Sequence, residues 1–307
     1  MKKLSALILL LAVLFVPAVV FANGQKDEAP AASAPAVAEV KTGPVEEAAM
    51  AYFADFPGNR IISTEKLIEK IDAGEDFLIL DIRRPEDYAE AHLKGAVNAP
   101  WGPAIADALN WLPDDIPVYV SCYSGQTAGQ AVAVLNVAGI PAESVKYGYN
   151  LGISKTEGID AYLTADATLP PEASGVKIDP KIRKAAEDYF NMIPDMGSNI
   201  WPAAKVKEML DAEDLGLVVS IRRADDYAAG HIQGAVNIPW GAGMQEKFSM
   251  LPKDETFVVH CYSGQTAGQA VGVLRLLGYD AVSMKSGMGT AATGASGWVN
   301  EGFPVVQ

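Results

Sequence analysis

The sequence predicts an α/β fold made twice in one chain, each copy a central, mainly parallel sheet with helices on both faces. Three observations carry that expectation. The first is a repeat that can be counted: Arg83 and Arg222, His92 and His231, Trp101 and Trp240, and Cys122 and Cys261 are each 139 residues apart, as are Gly58 and Gly197, and Gly148 and Gly287. Between Gly58 and Gly148 the copies therefore align without insertion. The second is a set of short apolar runs such as Phe77-Leu78-Ile79-Leu80 and Leu217-Val218-Val219, the pattern of strands covered on both faces. The third is a hexapeptide present twice, Cys122-Tyr123-Ser124-Gly125-Gln126-Thr127 and Cys261-Tyr262-Ser263-Gly264-Gln265-Thr266. Each follows an apolar run, Val118-Tyr119-Val120 or Phe257-Val258-Val259, and leads into an Ala/Val/Leu stretch ending at Gly139 or Gly278. That order reads as strand, tight loop and helix.

Taken in order, the chain opens with Met1-Lys2-Lys3, an apolar run from Leu4 to Phe21, and small residues up to Ala22. Residues 1–22 have the form of a signal peptide, which predicts export to the periplasm or another extracytoplasmic space. An uncleaved anchor is the alternative, and the only expected tie to a membrane. Residues 23–43 are rich in Ala, Pro and Glu without hydrophobic periodicity, the composition of a disordered tether. The first repeated domain is expected over 44–163, a linker over 164–178, and the second domain over 179–307. Within the copies, Ser63 can cap a helix carrying Leu67, Ile68 and Ile71, and Pro202 can start its counterpart. A short helix around Glu86 to Ala91, a strand near Ala96-Val97, and a last strand near Val145 or Val282 complete the alternation.

Composition excludes some functions. Half of the 307 residues are hydrophobic, enough for two cores, and Lys+Arg 24 against Asp+Glu 38 gives a net charge of -14. No basic block could track a phosphate backbone, so nucleic acid is not an expected partner. Three scattered histidines and two separated cysteines give no metal-ligand spacing, and no cofactor is expected.

The chemistry points to the cysteines. A cysteine at the mouth of a strand-loop-helix turn meets the positive end of a helix dipole and unpaired backbone N–H groups, which favour thiolate over thiol. In parallel sheets, ligands bind at the carboxyl ends of strands, where these loops lie. Cys122 and Cys261 are thus two candidate nucleophiles.

Around them the residues resemble a known family. Asp81-Ile82-Arg83-Arg84-Pro85-Glu86-Asp87-Tyr88, then Ala91-His92-Leu93-Lys94-Gly95-Ala96-Val97-Asn98-Ala99-Pro100, then the Cys122 loop, are similar to the rhodanese pattern. The second copy matches through Arg222 to Tyr227, Gly230 to Pro239 and the Cys261 loop. The resemblance implies sulfurtransferase chemistry: the cysteine takes the outer sulfur of thiosulfate, polysulfide or a persulfide donor, and hands it to a thiol or cyanide-type acceptor. The loop suits an anionic persulfide, because consecutive N–H groups at a helix N-terminus form a nest. Gly125 and Gly264 permit the positive dihedrals of a closed loop. Ser124, Thr127, Ser263 and Thr266 add hydroxyl donors, while Tyr123, Gln126, Tyr262 and Gln265 are expected along the rim.

Both loops are uncharged, so an anionic donor would depend on Arg83 or Arg222, which could equally pair with Glu86, Asp87, Asp225 or Asp226. Ser220 stands where the first copy has Asp81. Phosphatase chemistry needs an arginine six residues after the cysteine, where this chain has Ala128 and Ala267. A disulfide is disfavoured because equivalent positions of two copies lie in separate sites. His92 and His231 are read as backbone-bonded turn residues and His260 as structural. A non-enzymatic carrier of sulfide, polysulfide or persulfide on the same loops is the rival to an enzyme.

Overall fold

The computed structural model describes residues 42–173 and 175–307. The expected signal peptide, and the tether apart from Thr42 and Gly43, lie outside the described residues.

The first repeat runs α1 (Pro44–Ala54), β1 (Ile61–Ile62), α2 (Thr64–Ala73), β2 (Leu78–Asp81), α3 (Pro85–Glu90), β3 (His92–Leu93), β4 (Val97–Asn98), α4 (Pro103–Ala108), β5 (Val118–Ser121), α5 (Gln126–Val137), β6 (Ala142–Val145), α6 (Gly148–Leu151) and β7 (Leu163–Thr164). The second runs α7 (Pro180–Asn191), α8 (Ile193–Met196), β8 (Ile200–Trp201), α9 (Ala203–Asp211), β9 (Val218–Ser220), α10 (Ala224–Ala229), β10 (Val236–Asn237), β11 (Phe257–His260), α11 (Gln265–Leu276) and β12 (Ala281–Met284). Each repeat holds a five-stranded parallel sheet, ordered β1-β6-β5-β2-β4 and β8-β12-β11-β9-β10. In both, the strand that feeds the cysteine loop is central. β3 and β7 form a separate antiparallel pair.

Local chemistry explains the elements. The Ser63 hydroxyl accepts from the Lys66 amide and caps α2, whose far end is closed by Gly74 in the left-handed region. Pro202 takes the cap position of α9 and the helix begins one residue later. The core strands β5 and β11 are buried along their whole length, as their unbroken apolar runs require.

Helices α5 and α11 are buried on nearly all sides because each lies between its own sheet and the other helix. Glycine makes the approach possible. A β-carbon at Gly129 would lie 2.4 Å from the Gln265 carbonyl oxygen, and one at Gly268 would lie 2.4 Å from that of Gln126.

The helices that open the repeats pack outside the expected domain boundaries. α1 places Ala49, Tyr52 and Phe53 in the core of the second repeat, where Phe53 meets Phe248 and Trp240 edge to face. α7 returns the arrangement, with Ala186, Tyr189 and Phe190 in the core of the first repeat and Phe190 against Trp101. The repeats thus exchange their leading helices. The segment expected as a linker starts inside the fold: Thr164 pairs with His92, and Thr168 bridges to Val97.

Candidate active site

Each cysteine directly follows the last residue of a central strand and sits under the first turn of a buried helix. Gly125 (φ 90°) and Gly264 (φ 92°) close the two loops in a conformation that a β-carbon would strain. The closure turns amides onto sulfur. Cys122 Sγ accepts from Gly125 N at 3.1 Å and Ala128 N at 3.4 Å, and Cys261 Sγ accepts from Gly264 N at 3.1 Å. Both thiols are free, and only 1% and 2% of these residues is exposed. Sulfur at the floor of an amide cradle is held where negative charge is favoured.

The carbonyl side of each loop is pinned by the segment after β6 or β12. Tyr149 N and Asn150 N donate to the Cys122 and Tyr123 carbonyls, and Met288 N and Gly289 N do the same for Cys261 and Tyr262. Gly148 and Gly287 allow this contact, since a β-carbon on either would come 2.4 Å from the cysteine carbonyl oxygen. In the sequence they marked only the repeat register; their constant place after the last strand was the available signal.

Of the side chains expected on the rim, Tyr123 and Tyr262 stand there under restraint. Their hydroxyls bond Asp87 and Asp226, and accept from the amides of Arg84 and Arg223 at 3.1 and 3.2 Å. Asp87 is held below the usual carboxylate range by Tyr123 and then Arg84, and Asp226 by Arg223 and then Tyr262.

Gln126 and Gln265 are not on the rim. They are buried and cross between the repeats. Gln126 Nε2 donates to Ser283 Oγ and the Met284 carbonyl, and its Oε1 accepts from Ser286 N. Gln265 makes the reciprocal bonds to Ser144 Oγ, the Val145 carbonyl and Tyr147 N. The reason is the α5–α11 contact, which faces the first residue of each of these two helices toward the last sheet strand of the other repeat.

The arginines are buried below the loops. Arg83 forks onto Asp81, with Nη2 to Oδ2 at 2.7 Å, donates to the Ala91 carbonyl, and lies 3.8 Å from the centre of the Tyr149 ring. Its Nε and Nη2 are thereby engaged. Arg222 has no such acid. It donates to the carbonyls of Asp226 and Gly230, while its Nε finds no partner. Burial lowers its pKa, against the pull of nearby Tyr262, Asp226 and Cys261.

The His92 ring nitrogens lie 2.7 Å from the Tyr88 carbonyl oxygen and 3.1 Å from that of Asp166, and His231 Nδ1 lies 3.1 Å from the Tyr227 carbonyl oxygen. His260 is fully buried, and desolvation, followed by Arg222, pushes its pKa down to about 3. It is a neutral imidazole that lends no positive charge to Cys261.

Cys261 opens on a cavity of about 410 Å³ bordered by Tyr262, Ser263 and Thr266 from its own repeat. The facing wall comes from the other repeat and includes Lys66, Lys146 and Tyr147. A depression of about 390 Å³ near Arg60 and Pro141 holds no nucleophile. Among the described residues no cluster of His, Cys, Asp or Glu could hold a metal ion, and no helix is long and apolar enough to cross a membrane.

With this geometry in hand, the rhodanese-like domain model matches residues 63–157 and again 202–290. The Bacillus subtilis protein YrkF, a proposed sulfur carrier, is 33% identical over 78 residues, which are 25% of this chain and 42% of that protein. This chain therefore aligns with less than half of that relative. A thiosulfate sulfurtransferase of Pseudomonas aeruginosa is 24% identical over 279 residues, covering 78% of this chain and 94% of its own. Among solved structures, a rhodanese-related protein of Thermoplasma volcanium aligns at 30% identity and TM-score 0.29, over 34% of this chain and 93% of its own. Two rhodanese-like domains, together spanning more than half of the sequence, make this chain a tandem member of the rhodanese family.

Proposed function

We propose that the protein is an exported sulfurtransferase that moves sulfane sulfur from thiosulfate, polysulfide or a persulfide donor to a thiol or cyanide-type acceptor, with Cys122 and Cys261 as nucleophiles. The observation that carries this reading is the backbone amides aimed at each sulfur, two at Cys122 and one at Cys261. The thiolate attacks the outer sulfur of the donor, a new S–S bond forms, and the donor's S–S bond breaks with its electron pair leaving on sulfite or the donor thiolate. The persulfide left on cysteine is an anion, and the same N–H groups hold it without reorganisation. The acceptor then attacks the outer sulfur, and the cysteine departs as thiolate into its amide cradle. The leader-like residues 1–22 support an extracytoplasmic site of action.

The test is turnover with thiosulfate or polysulfide and a generic thiol, together with intact mass and peptide mapping after exposure to the donor. Each cysteine is expected to gain one sulfur. Cys122→Ser and Cys261→Ser each retain part of the turnover, and the double variant falls to background. Full turnover by the double variant overturns the assignment. Loading that stops at one sulfur per cysteine without turnover marks a carrier instead.

A further inference from the structure

The loops carry no charge, and the arginines beneath them are buried, Arg83 paired with Asp81 and Arg222 bonded to the Asp226 and Gly230 carbonyls, yet charged side chains also line the Cys261 cavity. Its charged lining residues are Lys66, from the first turn of α2, and Lys146, immediately after β6; no carboxylate borders it. In a chain with 38 acids and 24 bases, a wall with cations alone runs against the average. Both lysines belong to the first repeat, whereas the nucleophile belongs to the second.

Their placement is built. Gln265, four residues after Cys261, bonds the carbonyl of Val145 and the amide of Tyr147, the two neighbours of Lys146. The Lys146 amide is itself bonded to the carbonyl of Ile62 at 2.8 Å, the residue directly before the Ser63 cap of the helix that carries Lys66. The cysteine loop and the lysine wall are thus one hydrogen-bonded unit across the repeats. A solvated surface edge is the ordinary reading of two exposed lysines, but the repeat argues otherwise. Of the four lysines between Gly58 and Gly148, Lys66 and Lys146 recur as Lys205 and Lys285, while Lys70 and Lys94 become Met209 and Gln233. Lys285 is bracketed in the same way by the bonds of Gln126 to Met284 and Ser286.

We propose that Lys66 and Lys146 are specificity-determining residues of the Cys261 site, supplied in trans by the first repeat to recognise an anionic sulfur donor of the small oxyanion class. The assignment rests on the sulfurtransfer reading for its substrate and on the cavity for its charge. Two ammonium groups on one wall offset the repulsion that an acidic protein imposes on a dianion, and they act only at the mouth of the site, where screening still leaves them effective.

The experiment uses the full chain carrying Cys122→Ser, so that Cys261 alone reports, and compares Lys66→Gln with Lys146→Gln against the same protein without them. Alkylation by iodoacetate, an anion, and by iodoacetamide, its neutral analogue, is followed at Cys261. The iodoacetate-to-iodoacetamide rate ratio is expected to fall about tenfold in the lysine variant, the scale of removing two near charges. KM for thiosulfate rises with kcat little changed. Lys70→Gln with Lys94→Gln makes the same change in net charge outside the cavity and leaves the ratio where it was. A ratio unmoved in the Lys66/Lys146 variant, whether both rates hold or both fall, overturns the proposal, as does an equal fall in the Lys70/Lys94 control. Because alkylation requires no sulfur transfer, absence of turnover would strike the sulfurtransferase reading while the ratio still judged the lysines.

Discussion

The two cysteine loops are copies in sequence and in shape, but they stand on different floors. Under Cys122 the strand ends at Asp81 beside Ser121, and the carboxylate locks Arg83 into a neutral pair. Under Cys261 the same places hold Ser220 beside His260, and Arg222 is left as a buried cation with three unpartnered polar atoms near it: its own Nε, Ser220 Oγ and His260 Nε2. The loop glycine's amide nonetheless lies 3.1 Å from sulfur in both, although only Cys122 also accepts from a helix amide, Ala128 N at 3.4 Å. Loop shape is therefore a property of the glycine turn, the helix start and the pinning segment, and does not depend on the ion pair. The floor instead sets local charge and stability, and there the repeats are free to differ.

The sharpest way to break this comparison is to give the first repeat the second repeat's serine. Asp81→Ser strips a buried guanidinium of its counter-charge and two hydrogen-bonded oxygens, and is expected to lower unfolding stability by about 3–5 kcal/mol. Ser220→Asp, aimed at the orphaned Arg222, is expected to leave stability level or raise it. Urea unfolding of both variants checks the pair. If Asp81→Ser cost no more than a surface substitution, below roughly 0.5 kcal/mol, the two floors would be equivalent and the contrast would fail.

The glutamine clasp supplies the symmetric control. Gln126→Leu and Gln265→Leu each remove one amide and leave a strand hydroxyl, a carbonyl and a loop N–H short of a partner in the other repeat. Each should cost about 1–3 kcal/mol, and the two costs should agree closely because the bonds they break are copies. Unequal values would mean that the difference between the floors reaches the interface as well.

Much of this was legible in the residues. A constant offset of 139 forces two equal folds, continuous apolar runs force covered parallel strands, and a cysteine before Gly and a helix forces a cradle. The exchange of α1 and α7 was not legible. Each of these helices carries apolar residues, but nothing in Phe53 or Phe190 says which of two near-identical cores receives it. The inward turn of Gln126 and Gln265 was hidden for the same reason. A polar side chain after a glycine loop reads as rim until a second copy of the helix supplies partners for it. Lys66 and Lys146 lie far from either cysteine in sequence and reach one only through that packing.

The smallest effect concerns pH, and it isolates His260, which has Ser121 as its counterpart. In the folded chain this imidazole is neutral down to about pH 3, because burial and the facing Arg222 guanidinium both oppose its proton. In the unfolded chain it binds that proton near pH 6.5. Between those values the unfolded state holds more protons, so stability is lost as pH falls through the window and is fully present above it. At pH 5.5 the loss amounts to about 1 kcal/mol relative to pH 7. His260→Ser opens space in the core and lowers stability at every pH, so the absolute value is a poor measure. The difference in unfolding free energy between pH 7 and pH 5.5 is the useful one, and it should shrink by about 1 kcal/mol in the variant. An unchanged difference would mean that the folded protein accepts a proton at His260 despite Arg222, and that the second floor is screened by something other than a neutral ring.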